Sequence, residues 1–95
     1  MIFGQVAGTV VATRRADTMR GAKHLLVRRC SHTGKPGSEL LVVLDALGAG
    51  PGETVLVSQG SSARQTELSD KQPVDAVVVG LVDLVEVRGD IVFRK

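Results

Sequence analysis

At 95 residues the chain has room for one domain, spanning 1–95, and not for a second. Hydrophobic residues make up 43% of it and aromatics only 2%, so the apolar mass is Val, Leu and Ala; β-branched valine favours strands, and an all-β domain is predicted. The single cysteine excludes an internal disulfide, no stretch reaches the roughly 18 apolar residues of a membrane span, and the first residues lack a basic start followed by an apolar run, so a soluble, cytoplasmic protein is predicted.

Residues 2–13 alternate as a strand does, with Ile2, Val6, Val10 and Ala12 on one face and Phe3, Gln5, Thr9 and Thr13 mainly on the other. Gly4 and Gly8 within it predict a bend or the close approach of another backbone. Residues 14–22 are polar and read as a loop, and residues 24–30 as a second strand. The run 31–38, dense in turn formers, predicts a hairpin connection to a third strand over 39–47.

Gly48, Gly50 and Gly52 then mark a tight turn in which at least one glycine should carry a positive φ, and residues 53–59 form a fourth strand. A short helix is predicted over 61–68, capped by Ser61 or, with Gln65 three residues on, by Ser62. Residues 75–87 read as one long strand, 88–90 as a turn and 91–94 as a short last strand. Five or six strands with little helix predict a small closed or nearly closed barrel.

The apolar pattern exceeds what such a barrel hides. Ala76, Val78, Val82 and Leu84 would share one face, and Val77, Val79, Leu81, Val85 and Val87 the other; residues 40–44 are likewise apolar on both. A lone antiparallel barrel should be polar outside. Each exposed Val or Leu forgoes about 1.5–3 kcal/mol of burial, so a second subunit is the expected cover.

Five segments carry a resemblance that runs from Met1 to about Val87. They are residues 8–13 (GTVVAT), 21–23 (GAK), 44–53 (LDALGAGPGE), 60–64 (GSSAR) and 73–83 (PVDAVVVGLVD), in that order. The chain resembles the EutN/CcmL family of microcompartment vertex proteins. It departs from that pattern at Arg28, Arg29, Cys30, Ser31 and His32, where members often carry a Gln-Pro-like ending.

The resemblance implies an OB-like five-stranded barrel with one short helix, assembling into a ring of five that sits among hexagonal shell proteins at the vertices of a bacterial microcompartment. It implies no catalytic activity, and no cofactor or metal is expected. It also places Gly60, Ser61 and Ser62 as candidates for the ring axis. Charge is uneven: residues 1–37 hold seven basic side chains and one acid, the rest five basic and nine acids. Arg28, Arg29 and Arg64 are therefore candidates for docking to the shell or for the subunit interface.

Other constellations read as structural. The glycine loop lacks the Lys-Ser/Thr of a phosphate-binding loop and joins strands. Ser61 and Ser62 lack the second glycine of a nucleophile elbow, and His24 and His32, the two candidate bases, lie far off in sequence. Cys30 with His32 would need ligands from elsewhere to hold a metal. Asp45, Asp75 and Asp83 each stand at or beside a strand, where turn capping or a salt link is expected. The alternative function is a single-strand nucleic-acid-binding OB domain, permitted by a pI near 9.1 but poor in aromatic platforms, since Phe3 and Phe93 are the only aromatics.

Overall fold

The structure, a computed structural model, describes residues 1–11, 23–60 and 76–95. Its strands are β1 (Ile2–Val10), β2 (His24–Cys30), β3 (Pro36–Asp45), β4 (Thr54–Gln59), β5 (Ala76–Leu81), β6 (Leu84–Val87) and β7 (Asp90–Arg94). The first five close into a barrel in the order β1-β2-β3-β5-β4, and β6 and β7 form a separate hairpin. The helix expected over 61–68 lies outside the described residues.

Strand alternation sends Val6, Leu25, Val27, Val43, Val55, Val57, Ala76 and Val78 into one core, with Ile2 and Leu41 packed against it. Valines 27, 43, 55, 57 and 78 are fully buried, each contributing about 1.5–3 kcal/mol over exposure. Gly4 makes room for the core: a Cβ there would overlap the Val27 side chain. Closure between β3 and β5 is short and parallel, through Leu44 opposite Val77 and Asp45 opposite Val78.

Four expectations change. The run 75–87 is two strands. β4 begins at Thr54, whose carbonyl accepts from the Val82 N–H at 2.8 Å, so the chain beyond Val82 has no barrel partner and pairs with β7 instead. Second, an irregularity between Leu56 and Val57 shifts the β4–β5 register, so the alternation expected to run unbroken through residues 76–81 is interrupted there. Third, a similar shift between Val6 and Gly8 sets Thr9 opposite Leu25 and Val10 opposite His24, which splits Val10 from Ile2 and Val6. Fourth, β3 runs Pro36–Asp45 and not 39–47, because the Asp45 side chain turns to cap the following loop.

The second face of the apolar strands is covered unevenly. Leu44 and Val77, on the side away from the main core, are fully buried within the single chain and form a second cluster with Ala46 and Val79. There the chain needs no neighbour, whereas Leu40, Val42, Leu81, Leu84 and Val87 stay exposed and still want the expected cover.

The β6–β7 hairpin turns through Arg88 and Gly89, both at positive φ (52° and 87°), between the paired Val87 and Asp90. Two successive positive φ values make this a type I′ turn, whose twist matches that of the strands. The Glu86 carboxylate accepts from the Gly89 N–H. The hairpin is tied to the barrel at two places. The Phe93 ring packs on Gly34 in the β2–β3 turn, and Lys95 donates its N–H to the Asp83 carbonyl at 2.9 Å while its Nζ lies 3.5 Å from Glu53 Oε2.

Candidate assembly surfaces

Asp45 organises the loop after β3. One carboxylate oxygen accepts from the N–H groups of Leu47, Gly48 and Ala49 at 3.1, 2.9 and 3.2 Å. The other lies 3.6 Å from Lys23 Nζ. Gly48 and Gly52 take positive φ (77° and 82°), whereas Gly50 does not; its N–H donates to Glu53 Oε1 at 2.6 Å. That backbone donor, aided by Lys95, holds the Glu53 carboxyl below the usual glutamate range, against a smaller opposing effect of desolvation. Gly52 N–H and Val6 C=O, and Val6 N–H and Glu53 C=O, both bond at 2.9 Å, pinning the loop to β1. Every inward N–H of the loop points to a protein acceptor, which suits a rigid structural turn and leaves none aimed at a phosphate.

Arg28 and Arg29 point to different sides of β2. Arg28 lies opposite Leu40 and donates to the Gly37 carbonyl at 3.2 Å. Arg29 pairs with Glu39 at 3.4 Å, with both side chains about half exposed. Gly60 is exposed, with φ 67°. Ser61, Ser62, Arg64 and Asp75 lie outside the described residues. Cys30 is buried, and desolvation raises its thiol pKa. His32 is exposed in the adjoining turn. Among the described residues no group of three or more His, Cys, Asp or Glu side chains could hold a metal.

Among the described residues, two apolar surfaces remain open on the barrel exterior. The first lies on β2–β3, where Leu26 stands opposite Val42 and Arg28 opposite Leu40; Leu40 is 46% exposed and Val42 55%. The second lies on β1–β4, where Phe3 stands opposite Leu56. It continues into a groove between barrel and hairpin, lined by Phe3, Leu56, Leu81, Val82, Leu84 and Val85, with Asp83 and Glu86 beside them. Sequence reasoning missed this groove because its two walls are 25 or more residues apart; the one hint was Phe3 on the outward side of the alternation.

Neither aromatic is a free stacking platform. Phe93 is engaged with Gly34, and Phe3 lines the groove beneath the hairpin. The nucleic-acid alternative therefore finds no support in the barrel surface.

The comparisons agree with this geometry. Residues 1–83 match the family model described as ethanolamine utilisation protein EutN/carboxysome. The carboxysome shell vertex protein CcmL of Gloeobacter violaceus is 43% identical over all of this chain and 95% of its own length. The shell vertex protein EutN of Salmonella typhimurium is 42% identical over all of this chain and 96% of its own length. The solved structure of the pentameric microcompartment shell protein GrpN from Rhodospirillum rubrum superposes with a TM-score of 0.83 at 46% identity, covering 92% of this chain and 99% of that one. A family-model match over residues 1–83, with relatives above 40% identical along the whole chain, leaves one assignment: the chain belongs to the EutN/CcmL family.

Proposed function

We propose that this chain is a structural subunit of a bacterial microcompartment shell, that it forms a homopentamer, and that the pentamer caps the shell's vertices among hexagonal shell proteins. The observation that carries this is similarity over the full length to proteins named for the vertex role, joined to likeness with a pentameric shell protein. The physical logic is geometric. Hexagonal tiles pave a flat sheet, and closing the sheet needs five-fold points.

On this account the protein has no reaction to catalyse and resides in the cytoplasm within the shell. Gly60, Ser61 and Ser62 would stand near the ring axis, a placement that rests on the family resemblance. Arg29 and Arg64 are the candidates for contact with acidic tile edges. Arg29 reaches out only by sharing or giving up Glu39, so salt should weaken docking moderately.

The test is to express the hexagonal shell proteins with and without this chain and image the particles. Shells should form in both cases but be sealed only when the chain is present, judged by density at the vertices and retention of an encapsulated dye. Shells equally sealed in both cases would contradict the vertex role.

A further inference from the structure

A closed ring of identical subunits needs two unlike, complementary surfaces on each copy, one for each neighbour. Among its described residues the barrel exposes two such surfaces, well apart around its circumference. One is the β2–β3 face of Leu40 and Val42; the other is the groove between β1–β4 and the β6–β7 hairpin. Their rims also differ in charge: Arg28 adjoins the first, while Asp83 and Glu86 line the second, Asp83 with Lys95 Nζ 3.9 Å away and Glu86 accepting from the Gly89 N–H. The remainder of the two-sided apolar pattern needs no partner, since Leu44 and Val77 are buried within the chain.

We infer that the ring closes head to tail, with Leu40 and Val42 of one copy seated in the Phe3–Leu56–Leu84 groove of the next. The occupant of each groove is a second copy of this chain. The inference rests on the homopentamer proposed above and adds to it the contact surfaces and their polarity. It also gives the hairpin a task. By standing off the barrel, β6 supplies the outer wall of the groove, so the seat exists only while Phe93 and Lys95 hold the hairpin in place. A hydrophobic seat with a charged rim fits the usual anatomy of a subunit contact.

The experiment uses two full-length variants, Val42→Glu and Leu84→Glu. Both side chains are about half exposed in the single chain, at 55% and 47%, so folding should tolerate the change, with far-UV circular dichroism as the check. Each variant alone loses one of the two surfaces and should be monomeric in native mass spectrometry. Mixed one to one, the Val42→Glu chain still offers its groove and the Leu84→Glu chain still offers its β2–β3 face. The mixture should form a dimer and nothing larger.

A wild-type pentamer with both variants also pentameric would overturn the contact surfaces while leaving the ring untouched. Monomeric variants whose mixture stays monomeric would overturn the head-to-tail pairing. A wild type that is already monomeric would overturn the ring and this contact together. Should either glutamate variant fail to fold, Val42→Thr and Leu84→Thr serve in the same design. They should shift ring dissociation to at least tenfold higher concentration, and an unchanged dissociation concentration would overturn the assignment.

Discussion

The Phe93 ring lies against Gly34, its Cδ1 and Cε1 carbons 2.6 and 2.8 Å from where a Cβ on Gly34 would stand. The contact joins the last strand to the β2–β3 turn across 59 residues of chain. Gly34 also carries a φ of 85°, so it is required twice: for its conformation and for its lack of a side chain. Gly34→Ala should destabilise the protein by about 1–3 kcal/mol through strain and displacement of the ring. In a Phe93→Ala background the same substitution should cost less, because only the backbone strain remains. Urea denaturation of the four proteins checks this, and equal costs in both backgrounds would show that ring and glycine are independent.

Asp45 is predicted to matter more than any other described charge. Asp45→Ala leaves three loop N–H groups without their acceptor and should cost about 2–4 kcal/mol, whereas Asp45→Asn keeps one acceptor oxygen and should cost less. Lys23→Ala removes an ion pair whose lysine is more than half exposed and should cost under about 1 kcal/mol. Thermal or urea midpoints of the three variants should fall in that order.

The Asp45 cap was readable in the sequence, because an aspartate directly before a glycine-rich turn has few other uses. The core valines were readable for a similar reason: period-two alternation fixes them locally. What alternation does not encode is a change of partner. Nothing between Val79 and Val87 breaks a strand except Gly80, so the pattern reads straight through the point where β4 runs out of residues to pair. The shift between Val6 and Gly8 was legible as the bend that glycines in a strand predict, whereas the shift between Leu56 and Val57 comes from pairing with another strand and was not. The apolar excess was visible, but its division was not. Leu44 and Leu40 look alike in the sequence; only the fold buries the first and leaves the second open.

Arg88 should be replaceable with gain. It is the one non-glycine described residue at positive φ, in the first position of a type I′ turn, where asparagine or glycine is preferred. Arg88→Asn should stabilise the chain by about 1 kcal/mol. Differential scanning calorimetry would register it as a raised transition temperature, and a lowered one would mean that the Arg88 side chain has a contact worth more than the strain.

Glu53 sets a pH dependence whose sign follows from its lowered pKa. The folded state favours the ionised carboxylate, so its contribution is fully present above the ordinary glutamate range. It is lost as pH falls through the depressed folded value. The stability difference between wild type and Glu53→Gln should therefore shrink as the solution is acidified from neutral into that range. A difference that is constant across the same range would contradict the Gly50–Glu53 bond as its source.

Cys30 should be chemically quiet while the chain is folded, because burial disfavours its thiolate, the reactive form. A chromogenic disulfide reagent should label it slowly in native buffer and at once in denaturant. Rapid labelling of the native protein would mean that the β2–β3 end of the barrel opens readily.

The most direct test of the central claim is native mass spectrometry of the purified wild-type chain at micromolar concentration. A dominant species of five times the chain mass is predicted. A monomer under those conditions would contradict the account, as would a ring with a number of subunits other than five.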